Sequence, residues 1–327
     1  MKFSEYAPCK LILFGEHYVV YGAPALSIPI EPKNRVEFAT QKKEGIALES
    51  KLGRGWISTD GRYSGAPALS LYAEVARAVC PKGDFPSCTA KFLPATELKG
   101  VGISSSLCAA FAKGLFALKK EKTSKRRLFE AVQAGDNVAH QGRASGIDAK
   151  TVVEAAPLLF RKDASGKLIC RKAGFRLPSS AAFILIDTFE GKRSSTAEMI
   201  TRFASSFGIS KPPQMLTDTE RSEILGEYLA LWKKARLALA KGDADRIGKL
   251  MVQNQALLEK SGVSSDGIQR AVSAALKAGA LGAKLSGAGG EGGVVVALVK
   301  KAKKAKIAQQ ITRTTGFRCF AAKPFSG

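Results

Sequence analysis

Between Lys284 and Leu298 the chain reads KLSGAGGEGGVVVAL, and this stretch restricts the fold more than any other. It contains a literal G-x-G-x-x-G from Gly287 to Gly292, the spacing with which a dinucleotide-binding turn cradles a pyrophosphate. Such a turn must leave a strand and open a helix. Here the glycines run into Val294, Val295 and Val296, β-branched residues that favour a strand. The dinucleotide reading is excluded. What remains is a glycine loop entering a strand, either a tight turn or a close approach of backbone to an anion.

A second glycine junction has the opposite polarity. In Lys99 to Ala110, KGVGISSSLCAA, glycines precede three serines and then an apolar stretch of helical character. A helix opening there exposes N–H groups and the positive end of its dipole, and glycines let a phosphate approach the main chain. The serine hydroxyls add donors or a metal ligand, and Ser104 or Ser105 as a plain N-cap is the competing reading. A third segment, Pro8 to Ile30, reads PCKLILFGEHYVVYGAPALSIPI, a strand-like run that stops at a glycine followed by Glu16 and His17. On its own a Glu-His pair there is more often a turn than a site. Asp148, in SGIDAKTVV, stands just before an apolar run, where an aspartate is ordinarily a cap.

No G-x-x-x-x-G-K-[ST], H-R-D or D-F-G occurs, which removes P-loop NTPases and protein kinases. His17 and His140 are the only histidines, too few for histidine-rich metal sites and poor material for a Ser-His-Asp arrangement. Six scattered cysteines without a C-x-x-C pair point to reduced, structural thiols. Neither a signal-peptide core nor about 18 uninterrupted apolar residues is present, so the expected location is the cytoplasm, with no membrane partner. The net charge of +23 attracts polyanions in general. Its basic runs, Lys119 to Arg127 and Lys300 to Lys306, carry no interleaved aromatics for base stacking, so they read as solvated helix faces and no nucleic acid is expected.

Short β-like runs cover Cys9 to Phe14, Ala25 to Ile30, Arg35 to Phe38 and Ser87 to Phe92. Helical spacing covers Leu69 to Val79, the serines after Gly102, and Ser124 to Gln141. Ala181 to Asp187 reads as a buried strand, and a helix-rich region begins at Thr219. Val294 to Val299, a basic helix from Lys300 and a strand near Phe317 to Ala321 close the chain. The elements mix β and α throughout, an α+β pattern, with a domain boundary expected near Pro178.

In this order the three motifs resemble the GHMP family of small-molecule kinases, named for galactose, homoserine, mevalonate and phosphomevalonate. The opening PCKLILFGEHYVVYG, followed by PAL, is most similar to the members that phosphorylate mevalonate. The resemblance runs from Pro8 to at least Leu298. It implies a two-lobed fold: an N-terminal ATP-binding lobe, 1–178, like the second domain of ribosomal protein S5, and a ferredoxin-like C-terminal lobe, 179–327. It implies transfer of the ATP γ-phosphate to the 5-hydroxyl of mevalonate, with Mg2+, early in isoprenoid synthesis. By that pattern Asp148 is the base and Lys10 its partner, while Glu16, His17, Ser145 and Thr196 face the substrate, the last in the segment Arg193 to Thr196. ATP rests on Gly100, Gly102, Ser104, Ser105 and Ser106 and on Gly287, Ala288, Gly289 and Gly290. Ser106 reaches the metal, with Asn137 or Asp136 beside it.

The residue types suit the chemistry, because phosphoryl transfer asks mainly for positioning and charge stabilisation. An aspartate accepts the alcohol proton and a neighbouring lysine favours its ionised form. The chain also departs from the family pattern. Asn137 stands eleven residues before Asp148, where the family has a metal-binding glutamate; Ser104 replaces a glycine and Leu107 an alanine; Glu291 interrupts the third glycine run; and Lys150 follows the aspartate closely. Other readings are a sister kinase acting on phosphomevalonate, a sugar or the mevalonate 3-hydroxyl, and a basic binding protein that has lost catalysis. Oligomeric state stays open, a homodimer among the options.

Overall fold

The first strand outruns its apolar centre. In the computed structural model, which describes residues 1–142, 144–163, 165–191 and 194–325, β1 spans Lys2–Phe14 and pairs antiparallel with β2, Ala25–Thr40. The sequence suggests two separate runs within β2, broken by Glu31 to Asn34. The strand continues because the break is absorbed as a bulge: Pro8 pairs with Lys33 and Cys9 with Ile30, so Glu31 and Pro32 drop out of register. A proline, which cannot donate to the ladder, is tolerated at such a bulge.

Around this pair the first lobe is assembled. β6, Cys88–Leu93, and β7, Leu158–Lys162, add to β2. β3, Ile46–Ser50, joins β6 in parallel, and β4, Gly53–Ile57, and β5, Tyr63–Gly65, extend the sheet, while β8, Leu168–Lys172, pairs with β7. Four helices accompany them: α1, Ser70–Val79; α2, Ile103–Leu118; α3, Lys125–Ala139; and α4, Ile147–Glu154. Helix α2 lies close against the sheet because Gly114 leaves room for Phe38; a Cβ there would meet the ring at 2.0 Å. Phe38, Tyr72, Phe92 and Phe111 form a buried aromatic cluster, with Tyr72 and Phe92 centroids 3.9 Å apart.

The second lobe is built on β9, Ala181–Asp187, flanked by β11, Val294–Lys300, and β12, Arg318–Pro324, with β10, Gly282–Ser286, outside β11. The valine run of β11 is buried throughout, as expected of a strand between two others. Its helices are α5, Thr196–Ser205; α6, Asp218–Lys241; α7, Ala244–Lys260; α8, Asp266–Lys277; and α9, Lys304–Thr315. A capping box of Thr217 and Glu220 opens α6, and left-handed Gly242 ends it. The basic helix begins later than its sequence suggests, because Lys300 still pairs in the ladder with Ala181. β12 joins the lobes into one sheet, since beyond β9 it reaches β2 through Lys323 with Glu31 and Pro324 with Ile30.

The α+β, two-lobed architecture expected from the sequence is thus present. Among the described residues no helix is long and apolar enough to cross a membrane. All six cysteines are free, and Cys9, Cys80, Cys88 and Cys108 are buried. The basic run after Lys119 is laced with acids: Lys119 meets Asp84 and Glu121, Arg127 meets Glu121, and Lys125 meets Glu154.

Candidate active site

Strand β1 delivers Lys10 to the foot of the serine-bearing turn. Its backbone N–H donates to Val101 at 2.9 Å, and its ammonium lies 2.8 Å from Asp148 Oδ1. The lysine is buried, whereas Asp148 keeps 22% of its side chain exposed and remains reachable. Asp148 occupies the first turn of α4, after left-handed Gly146, where the helix dipole favours a carboxylate. Gly102 has φ +70, and a Cβ on it would lie 2.9 Å from Lys10 Cγ, so only glycine lets this turn rest on the lysine stem. No side chain caps the first turn of α2, which leaves its opening main chain to a ligand.

Helix α3 brings a second acid. Its buried stripe is Leu128, Ala131, Val132, Gly135 and Asp136, so Asp136 faces inward while Asn137 is exposed and accepts a hydrogen bond from Gln133. Ser105 donates to both oxygens of Asp136 at 2.7 Å. Burial first, and then the charge of Asp148, push the Asp136 carboxyl up to about 7. The three serines diverge: Ser104 is exposed, Ser105 meets Asp136, and Ser106 donates to the Ala7 carbonyl at 2.8 Å inside the core. The resemblance sends Ser106, with Asn137 or Asp136, toward a metal; here Ser106 turns into the core and Asn137 to the surface, while Ser105 and Asp136 face each other, because successive helical residues point about 100° apart. Among the described residues no group of three or more His, Cys, Asp or Glu side chains could hold a metal. Two carboxylates suit a hard cation that also keeps water or substrate oxygens, and do not suit zinc.

Opposite these acids, the C-terminal lobe presses its glycine loop against the end of β1. Ser286 Oγ donates to the Ile12 carbonyl at 2.8 Å and accepts from the Ile12 N–H. His17, at φ 60, stacks on Phe203 and makes a 2.8 Å hydrogen bond from Nε2 to the Ala288 carbonyl. Burial lowers its pKa to about 4, so the ring is neutral near pH 7 and Nε2 carries the proton it donates. Glu16 and Lys284 form a fully buried ion pair, and burial pushes the acid up and the ammonium down, each opposed by its partner's charge. Left-handed Gly289 and Gly290 fit against the Val263 carbonyl and Ser194, whereas Gly287 borders open space. Glu291 is exposed, and its N–H donates to Ser194 Oγ.

Lys10, Glu16, His17, Asp136 and Asp148 line one cavity of about 450 Å³. Gly100, Ser145, Gly287 and Ala288 complete its polar wall, and Ser145 Oγ accepts from the Ile147 N–H at 3.4 Å. Arg193 and the side chain of Thr196 lie outside the described residues. A larger cavity of about 970 Å³, between β12 and the loop before Val101, gathers none of these charged groups, so volume does not mark the site. The sequence reading missed Lys284 altogether. Its only signal was a lone lysine three residues before the glycine loop.

The C-terminal region, residues 235–316, matches the family model described as GHMP kinases C terminal. The mevalonate kinase of Aeropyrum pernix is 31% identical, across 88% of this chain and 86% of that protein, and that of Thermococcus sibiricus is 29% identical across 89% and 88%. Among solved structures, the L. major mevalonate kinase in complex with R-mevalonate superposes with a TM-score of 0.79 at 23% identity, covering 99% of this chain and 97% of that one. The Lactococcus lactis galactokinase complexed with galactose superposes at 0.74 and 18%, covering 99% and 94%. These structural likenesses speak for the fold, and the likeness in sequence along most of both chains speaks for the family: the chain belongs to the mevalonate kinases, within the GHMP kinases.

Proposed function

We propose that this chain transfers the γ-phosphate of ATP to the 5-hydroxyl of (R)-mevalonate. The observation that carries the reading is the Lys10–Asp148 pair, 2.8 Å apart, on the wall of a cavity that Gly100 and Gly287 also line. ATP phosphates fit against the open first turn of α2 and the 287–290 loop, where glycine backbone and helix dipole favour anions. The alcohol faces Asp148, which accepts its proton as the oxygen attacks phosphorus in line; the bond from the γ-phosphorus to the bridging oxygen breaks and ADP departs. Lys10 offsets the negative charge that develops and fixes the aspartate by its ion pair. His17 and Glu16 border the substrate end. Asp136, oriented by Ser105, and Asp148 would hold Mg2+, which when bound neutralises phosphate charge. In this reading residues 1–178 carry the nucleotide contacts at α2, and 179–327 supply the second glycine loop.

The test is ADP formation in a coupled assay with mevalonate, phosphomevalonate and galactose offered separately. Turnover with mevalonate well above the other two is expected. Turnover with galactose or phosphomevalonate but not mevalonate overturns the substrate assignment, and none with any overturns the kinase reading for these acceptors.

A further inference from the structure

Burying two opposite charges costs several kcal/mol per ion unless hydrogen bonds satisfy both groups. The Glu16–Lys284 pair meets that condition on one side alone. Lys284 lies in the middle of the lobe's buried edge pair, with no exposed surface, and its ammonium donates to Glu16 Oε1 and to the Leu285 carbonyl. Glu16 Oε2 is equally buried and has no hydrogen-bond partner among the described residues. An ionised carboxylate has about four acceptor sites, so a bare oxygen in a water-poor place is a standing penalty. Glu16 lines the same cavity as Asp148.

The backbone adds direction. Glu16 precedes His17, whose φ of 60 and bond to Ala288 fix the turn, and Lys284 is two residues from Ser286, which is tied to Ile12 in both directions. These links hold the backbone from which both side chains of the ion pair extend.

We propose that Lys284 is a positioning residue for substrate recognition: by holding Glu16 Oε1, it leaves Oε2 as a fixed acceptor for the substrate hydroxyl that is not phosphorylated. This rests on the kinase reading above. Under that reading the acceptor is the tertiary 3-hydroxyl, and the reacting 5-hydroxyl is left to Asp148. Lys284 itself touches no substrate.

The test compares mevalonate with 5-hydroxy-3-methylpentanoate, which keeps the reacting alcohol and lacks the other. For the wild type, kcat/KM should fall by about 10- to 100-fold on losing a hydrogen bond to a charged group. In Glu16→Gln and Lys284→Met the same comparison should shrink to about 3-fold or less, mainly through KM for mevalonate, with the dissociation constant of ATP unchanged as the measure of intact fold. Lys284→Arg, which retains the charge, should recover part of the discrimination. Equal use of both compounds by the wild type overturns the inference while leaving the kinase reading standing. A nucleotide-binding Lys284→Met that still discriminates fully also overturns it. If the wild type phosphorylates neither compound, the kinase reading fails and takes this inference with it.

Discussion

Two interiors in this molecule are equally dry and differ in content. Under α1, α2 and α3 the first lobe buries aromatic and aliphatic side chains, with Phe38, Tyr72, Phe92 and Phe111 at the centre. At the seam between lobes, within reach of the glycine loops, the chain buries Lys10, Glu16, His17, Asp136 and Lys284. The first interior is explained by transfer of apolar surface from water. The second works against that term, since each buried charge must be offset by a partner. Under the proposed function, the difference separates residues that hold the fold from residues that the fold holds for chemistry.

The comparison breaks most readily in the apolar core. Phe111→Ala should cost about 3–5 kcal/mol in denaturant unfolding while the folded fraction keeps its kcat. Equal damage to kcat would merge the two interiors. The seam should respond in the reverse sense. Replacing both Glu16 and Lys284, as Glu16→Leu with Lys284→Met, should leave stability unchanged or raise it by about 1–4 kcal/mol, because packed apolar side chains avoid the desolvation of an ion pair. In the same protein kcat/KM with mevalonate should fall by about 10-fold or more, mainly through KM. A large loss of stability would mean that the pair holds the fold.

His17 provides a pH test. Its pKa is about 4 in the folded chain against an ordinary 6.5, so between these values the unfolded chain binds a proton that the folded chain refuses. Stability should therefore fall as pH drops from 6.5 to 4, by about 3 kcal/mol in all, with no contribution from this group above 6.5. In His17→Phe that part of the slope should vanish from urea titrations repeated across the range. The smallest effect sharpens the metal assignment. Asn137→Ala should leave the Mg2+ dependence of ADP formation unchanged, whereas Asp136→Asn should weaken it by about 10-fold or more. In the wild type, apparent Mg2+ affinity should rise with pH and level off above about 7, as Asp136 gives up its proton.

How far the sequence could be read differs between the same two regions. The apolar elements were legible from periodicity: α1 was expected from Leu69 and begins at Ser70, and β9 covers the expected Ala181 to Asp187. Long-range pairing was not, which is why β1 starts seven residues before its apolar run and β2 carries through Glu31 and Pro32. Lys10 and Asp148 were singled out by motif, and the structure brings them together. The choice between Asp136 and Asn137 was present in the sequence, since the spacing from Leu128 through Ala131, Val132 and Gly135 places Asp136 on the buried stripe. Lys284 had no comparable signal, because its partner lies 268 residues away and only the docking of two lobes makes them neighbours.

The central claim is that a lysine-held aspartate receives the alcohol proton at the mouth of two glycine loops. It is tested most directly by the single-turnover rate of ADP formation from mevalonate and ATP in Asp148→Asn against the wild type, with nucleotide affinity measured on the same samples. The account predicts a rate lower by about 10²- to 10⁴-fold with ATP bound as tightly as before. A variant that binds ATP normally and turns over at the wild-type rate would contradict it.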